Sequence, residues 1–329
     1  MSSQSPKIVV ITPIKNEAWI LDRFLAVMSQ FADHIIIADQ NSTDESVAIC
    51  KNYPKVTLIA NNAKEYNEAE RQLLLIQTAR DLVPEHKIIL ALDADEMLAA
   101  NATQTPGWQT MLEAKPGTVL FIEKVSICGD TNQCIRYYPF PLGYVDDGSE
   151  HKPSKIHSVR VPMPEYASKL ILHDIKILHY LLMRPEAQSS KVRFYSMVEN
   201  TLGKGNSFSR RVTYNPKRDY TKEGPVETSN SAWFDAWEAI GIDMKSITTS
   251  HYYWYDFEVL SYFQKYGYYH FWLEDIWNFD WEACRQYAKS KNISPIPESP
   301  ISPPPKILGQ MMDGLGYLYT RFRKVFKGV

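Results

Sequence analysis

The chain predicts an α/β fold: a mostly parallel sheet flanked by helices, with a Rossmann-like half and a helical C-terminal extension. Three observations predict it. Four short apolar runs, at 7–14, 34–39, 56–60 and 87–92, have the continuous character of strands buried on both faces. The segments between them carry helical spacing, and strands separated by helices need crossovers that make neighbouring strands parallel. Beyond about residue 117 this alternation stops, and residues 251–281 hold fifteen aromatics in 31 positions, mostly in helical text.

Each element follows from its residues. KIVVITPI leads into NEAWILDRFLAVMSQF, where Ile20, Phe24, Met28 and Phe31 share a helical face and Asn16 is placed as an N-cap. HIIIAD is the second strand. Ser42-Thr43-Asp44-Glu45 then has the form of a capping box opening a short helix with Val47, Ile49 and Cys50. VTLIA is the third strand, 67–83 a long helix, and KIILAL the fourth strand. Further on, TVLFIEKVSIC, KIHSVRV and DIKILHY read as strands of a mixed extension, 185–205 as a helix, and 206–225 as a polar, basic loop. SPIPESPISPPPK, 294–306, reads as an extended proline-rich linker. In the tail Leu308, Met311, Leu315, Leu318, Phe322 and Val325 recur at three- and four-residue spacing, with Arg321, Arg323, Lys324 and Lys327 near the end. That pattern suits a helix on a membrane surface, a homodimer seam or a helix docked on its own domain.

Composition sets the function classes. At 329 residues the chain can bury a sizeable core, and 44% apolar with 22% charged residues is ordinary for a globular protein. A net charge of −2 argues against nucleic acid as a partner. Cys50, Cys128, Cys134 and Cys284 have no metal-ligand or redox spacing, so reduced thiols and a cytoplasmic setting are expected. The run 8–14 is too short to span a bilayer and lacks the flanks of a signal peptide.

The chemistry concentrates at ILALDADE, 89–96. A buried strand runs directly into Asp93, Asp95 and Glu96, and such carboxylates need a compensating partner. In open α/β sheets ligands bind beyond the carboxyl ends of the strands, and Asp39 and Asp93 both stand at such ends. Two carboxylates on a tight turn suit Mg²⁺ or Mn²⁺, which take oxygen ligands and share them with substrate phosphates. The alternative is that both acids cap the following turn. Glu96 reads as a supporting residue or a helix start.

These motifs resemble the family 2 glycosyltransferases of the GT-A fold over about residues 7–100. TPIKNE (12–17) is similar to the family's opening strand-to-helix motif, IIIADQNSTDES (35–46) to its second strand and turn, EAERQLLLIQTA (68–79) to its Arg-bearing helix, and ILALDADE to its metal-binding signature. The resemblance implies a nucleotide pocket lined by Pro13, Asn16, Glu17 and Asp39, with Arg71 facing the nucleotide or its phosphates. It implies that Asp93 contacts ribose and metal and that Asp95 holds the metal. A later-strand His completes many family sites; His179 fits that element, with His173 and His157 as competitors. Glu17 also suits a first-turn acid favoured by the helix dipole, Asp39 a loop cap, and Arg71 an ion pair with Glu68 or Glu70.

The implied reaction is inverting transfer of a sugar from a nucleoside-diphosphate sugar, of UDP or GDP type, to a hydroxyl of a glycan, a lipid-linked or a small-molecule acceptor. It requires a general base, for which Asp147 and Glu150 are the candidates. Arg210 and Arg211 are candidate lid residues over the diphosphate, against a simply solvated loop. Residues 1–225 would form the catalytic domain, 226–293 an aromatic helical region, 294–306 the linker and 307–329 an amphipathic helix. The competing readings are a nucleotidyltransferase, which would want a glycine-rich phosphate loop that TPIKNEAW lacks, and a catalytically silent GT-A domain that binds a glycan or partner.

Overall fold

The computed structural model describes residues 5–63, 66–219, 222 and 224–327. The chain divides into two compact units, residues 1–183 with 220–249 and residues 184–219 with 250–329.

In the first unit β1 (Lys7–Ile14), β2 (His34–Asp39), β3 (Val56–Ala60) and β4 (Lys87–Ala91) form a parallel run in the order β3-β2-β1-β4. Their side chains alternate between two cores, as the pleat requires. Ile8, Val10, Ile35, Ile37, Ile88 and Leu90 face one core with Phe24 and Leu25 of α1 (Ala18–Met28). Val9, Ile11, Ile36, Ala38 and Ile89 face the other with Leu75, Ile76 and Ala79 of α3 (Glu68–Leu82). Covered on both faces, the strands read as continuous apolar text.

The extension is mixed. After β5 (Glu96–Leu98) and α4 (Pro106–Leu112) come β6 (Thr118–Cys128), β7 (Gln133–Val145), β8 (Ser168–His179) and β9 (Val226–Thr228). The sheet order is β3-β2-β1-β4-β7-β6-β8-β5, with β9 on β7. Strand β7 runs antiparallel to β4 and β6, β6 parallel to β8, and β5 antiparallel to β8. This order forces the sheet to curl. On a flat sheet, four steps from β4 to β5 would span about 19 Å. The five residue steps from Ala91 to Glu96 reach at most roughly 17 Å fully extended, and here they fold into a turn closed by Glu96 N–H donating to Asp93 O at 2.9 Å. The acidic turn is therefore the seam at which the sheet bends back on itself.

Several local expectations are corrected. Asn16 does not cap α1; it sits in the left-handed region (φ 54°) and its Oδ1 accepts from Thr43 N at 2.7 Å. The cap comes from the neighbouring loop, where Asp44 Oδ2 accepts from Ala18 N at 3.0 Å. The capping box at 42–45 does not form either, because Ser42 Oγ is taken by Asn16 N at 2.8 Å and α2 (Ser46–Cys50) starts later. KIHSVRV is no strand; its backbone is drawn to α3, with Lys155 O accepting from Glu68 N and Ser158 N donating to Glu68 Oε2, both at 3.0 Å.

The boundary expected near 225 also lies elsewhere. Residues 226–249, which include α7 (Asp235–Ala239), belong with the sheet: β9 pairs with β7, Ala100 N donates to Trp233 O at 2.8 Å, and Trp237 Nε1 donates to Leu98 O at 2.9 Å. The second unit begins with α5 (Pro185–Thr201) and includes α6 (Ser207–Thr213), where a loop was expected. An Asn206–Ser209 capping box starts α6, a signal hidden in polar text.

In this unit α8 (Trp254–Tyr266) and α9 (Trp281–Ser290) bury Phe263, Trp281 and Cys284. The aromatic block is divided: Phe263, Phe271 and Trp281 are core, whereas Tyr266 and Tyr269 are exposed. The proline-rich segment is tied down, with Arg285 donating to Pro297 O and Glu298 O and Ile301 N donating to Glu282. In α10 (Lys306–Lys327), Ile307, Met311, Leu315 and Leu318 are exposed and Asp313 pairs with Arg211. All four cysteines are free and buried, and no helix among the described residues is long and apolar enough to cross a membrane.

Gly143 on β7 sets the spacing beside β4. A Cβ there would meet the buried Leu90 and Leu120 side chains at 2.9 Å. Gly143→Ala is expected to cost about 1–3 kcal/mol by overpacking, read as a lower urea midpoint with an unchanged slope.

Candidate functional site

The site is built at the carboxyl edge of the parallel strands. Leu92 N donates to Ile11 O at 3.1 Å, which carries the β4 pairing one residue further and fixes where Asp93 begins. Glu96 begins β5 rather than a helix, and stands opposite His179 on β8. Tyr180 N donates to Asp95 O at 2.9 Å. This places Asp95 Oδ2 3.5 Å from His179 Nε2, with His179 Nδ1 3.4 Å from Ser126 Oγ on β6. A partner on one ring nitrogen leaves the other directed at the carboxylate. His173 and His157 have no such placement: His173 O accepts from Lys176, and His157 lies in the loop beside α3 with φ 56°.

Glu96 is fully buried, and its charge is met from three sides. Lys124 Nζ of β6 lies 2.9 Å from Oε1, Asp93 N donates to Oε2 at 3.1 Å, and Arg160 forks onto both oxygens. Burial pushes its carboxyl up, but Arg160, Lys124 and His179 outweigh that and hold it well below the usual carboxylate range. Arg160 Nη2 also reaches Asp93 Oδ2 at 2.5 Å. Burial opposes the charge on Arg160, yet Asp93, Glu96 and Asp95 more than offset it and raise the guanidinium pKa.

The sequence reading missed Arg160 and Lys124. The signal was the uncompensated charge of three acids after a buried strand, but it named no partner. Arg160 arrives by a strap along α3. Asp146 pairs with Arg80 at 2.8 Å, Ser149 O accepts from Arg80 at 2.8 Å, His151 Nε2 meets Gln72 Oε1 at 2.9 Å, and Ser158 binds Glu68. The strap runs from the C-terminal end of α3 to its first turn, returning the chain to the edge where Asp93 lies.

The nucleotide-pocket candidates gather at the neighbouring strand ends. Pro13 pairs with Ala38 and Ile14 with Asp39 across β1 and β2. The Asp39 carboxylate accepts from Ser42 N at 3.2 and 3.3 Å, which is also its loop-cap reading. Glu17 Oε2 accepts from Trp19 Nε1 at 2.7 Å. Arg71, in the first turn of α3, lies 4.0 Å from Glu68 and over the Tyr66 ring.

The base candidates are not brought to this edge. Val145 of β7 stands opposite Ile88, which is five strand residues or roughly 16 Å from Asp93 at about 3.3 Å per residue, and Asp147 lies further away still, beyond the amino end of β4. Asp147 Oδ1 accepts from Tyr144 Oη at 2.5 Å and Ser149 N at 2.9 Å. Burial raises its pKa, but these bonds win and lower it, which disfavours a base. Glu150 is exposed and paired with Lys152 at 3.3 Å. Arg210 forks onto the buried Glu274 at 2.6 and 3.0 Å within the helical unit, and Arg211 binds Leu273 O and Asp313. Both arginines are thus committed inside α6's own unit.

A sequence model described as "Glycosyl transferase family 2" matches residues 9–116. No curated protein matches this chain. Among solved structures, glucosyl-3-phosphoglycerate synthase from Mycobacterium tuberculosis in complex with Mn²⁺, UDP and glucosyl-3-phosphoglycerate aligns at 15% identity and TM-score 0.26, covering 37% of this chain and 44% of that one. A 4-diphosphocytidyl-2C-methyl-D-erythritol synthase aligns at 12% identity and TM-score 0.31, covering 44% and 76%. The corresponding synthase from Anaerococcus prevotii DSM 20548 aligns at 13% identity and TM-score 0.29, covering 43% and 70%. The alignment thus spans less than half of the M. tuberculosis chain. Likeness at these scores assigns no activity.

Asp93 and Asp95 bring two carboxylates, the oxygen ligands that hard divalent cations take, to one strand edge, with the His179 imidazole 3.5 Å from Asp95. Among the described residues no three His, Cys, Asp or Glu side chains are gathered closely enough to hold a metal alone. Substrate oxygens are the usual remaining ligands for such ions.

The strap has its own titration. Burial, with Arg80 nearby, pushes the His151 imidazole down from 6.5 to about 4. The folded chain then resists a proton that the unfolded chain takes up, so stability falls as pH drops from about 6.5 to 4 and levels below that. The loss is expected to be on the order of 3 kcal/mol at most. Urea unfolding across this pH range should show it, and His151→Gln should flatten it.

Proposed function

We propose that this chain is a metal-dependent glycosyltransferase that moves a sugar from a nucleoside-diphosphate sugar to an acceptor hydroxyl with inversion. The observation that carries the reading is the meeting of Asp95 with His179 at 3.5 Å beside Asp93, at the carboxyl edge of a sheet whose residues 9–116 match a glycosyl transferase family 2 model. Asp93, Asp95 and His179 would hold Mn²⁺ or Mg²⁺, which when bound neutralises charge developing on the departing nucleoside diphosphate.

The protein's own groups do the rest. Asp39 and Glu17, at the ends of β2 and the first turn, would take hydrogen bonds from the base or the ribose hydroxyls. Asn16 acts indirectly, because its side chain ties the first and second turns together. Arg71, in the first turn of α3, would donate to phosphate oxygens. The acceptor, a glycan, a lipid-linked or a small-molecule hydroxyl, would attack C1 from the side opposite the diphosphate. The proton it loses would go to a general base; of the candidates Asp147 and Glu150, the place of Asp147 beyond the amino end of β4 counts against it.

Thermal shift with UDP, GDP and CDP, each with and without Mn²⁺, tests the reading. One nucleotide should stabilise the chain by several degrees, and only with metal. Asp95→Asn should abolish that shift without lowering the metal-free melting temperature by more than a few degrees. A panel of nucleotide sugars with Mn²⁺ should then give hydrolysis or transfer with one donor. Stabilisation by no pair would sink the proposal. Pyrophosphate release from a nucleoside triphosphate would replace it with nucleotidyl transfer.

A further inference from the structure

We propose that Arg160 is a partner-exchanging cation of the site: its contact with Asp93 passes to the donor's diphosphate when the donor binds. The inference rests on the glycosyltransferase reading and adds a residue to it.

Arg160 is anchored on a buried partner at one end and on a partly exposed one at the other. Its guanidinium forks onto Glu96, which is fully buried and also bound by Lys124 and by Asp93 N. A buried carboxylate cannot release its cations to water without a large desolvation cost, so this end stays fixed. The other end is a single contact. Nη2 carries two N–H groups; one serves Glu96 Oε1 at 3.3 Å and the other reaches Asp93 Oδ2 at 2.5 Å. The Asp93 side chain is 30% exposed against 0% for Glu96, so it is the partner that can be exchanged.

Charge then fixes the order of events. Among the described residues, Arg160 is the permanent cation paired with both Asp93 and Glu96, and Lys124 is a second one on Glu96. A divalent cation shared by Asp93 and Asp95 would share a carboxylate with the guanidinium, and the two positive charges repel across it. Metal alone should therefore bind poorly. A diphosphate brings negative oxygens that can lie between the metal and Arg160. The N–H released by Asp93 then becomes a charge-assisted donor to phosphate, a role guanidinium geometry suits. Metal and nucleotide thus bind with positive coupling, each improving the other's affinity by the same factor.

The test is Mn²⁺ binding followed by the electron paramagnetic resonance of free Mn²⁺, with and without the nucleotide that stabilises the wild type. Wild type should bind Mn²⁺ at least tenfold more tightly with nucleotide than without. Arg160→Gln should bind Mn²⁺ alone at least tenfold more tightly than wild type, and its coupling to nucleotide should fall by a similar factor. Arg160→Lys, which keeps the charge, should stay near wild type for Mn²⁺ alone. Removing Arg160 leaves Glu96 short of a cation, so Glu96→Gln with Arg160→Gln serves as the charge-balanced variant and should show the same gain. Unchanged affinity for Mn²⁺ alone in both Gln variants, with the coupling intact, overturns the role of Arg160. If none of UDP, GDP and CDP promotes Mn²⁺ binding to the wild type, the donor reading falls first and this inference falls with it.

Discussion

A fully buried carboxylate must be answered by cations, and the demand made by Glu96 organises this molecule's working edge. Lys124 answers from β6, Arg160 from the far end of a strap, and the Asp93 N–H from the turn itself. Each brings an element with it. Because Glu96 also opens β5 and faces His179, the same residue fixes where the imidazole meets Asp95. Buried ion clusters are weak sources of net stability, but losing one member is costly. Their value here is geometric: they leave the turn few alternative conformations.

The strap carries a second lesson about position. Residues 146–158 look like spare loop, yet Asp146, Ser149, His151 and Ser158 take successive partners along one helix. A helix rises about 1.5 Å per residue, so the twelve residues from Glu68 to Arg80 act as a ruler of about 18 Å. The ruler measures the chain from the amino end of β4 back to its carboxyl end. Asp147 stays at one end of that ruler and Arg160 is delivered at the other.

The parallel half was legible because burial on both faces writes itself as continuous apolar runs, and crossovers as helical spacing. DIKILHY could likewise be placed as a strand ending in His179, which is where the structure has it. What stayed hidden were interactions without period. Arg160 lies 64 residues from Glu96 in irregular text, and nothing local distinguishes it from any exposed arginine. Asn16 and Ser42 carry ordinary capping chemistry, but each spends it on the other's loop. Arg210 and Arg211 looked like a solvated basic loop because their acidic partners, Glu274, Asp275 and Asp313, come more than sixty residues later.

The acidic turn closes the curl of the sheet, and this separates two histories that its sequence appears to merge. Glu96, Lys124 and Arg160 are needed to fold the seam; Asp95 and His179 are needed only if something is bound there. Replacing the Asp95 side chain would leave its backbone carbonyl on Tyr180 N and the seam closed, whereas replacing Glu96 would strand Lys124 and Arg160. In DADE the fourth letter is spent on architecture, and the third, on the function proposed above, on chemistry.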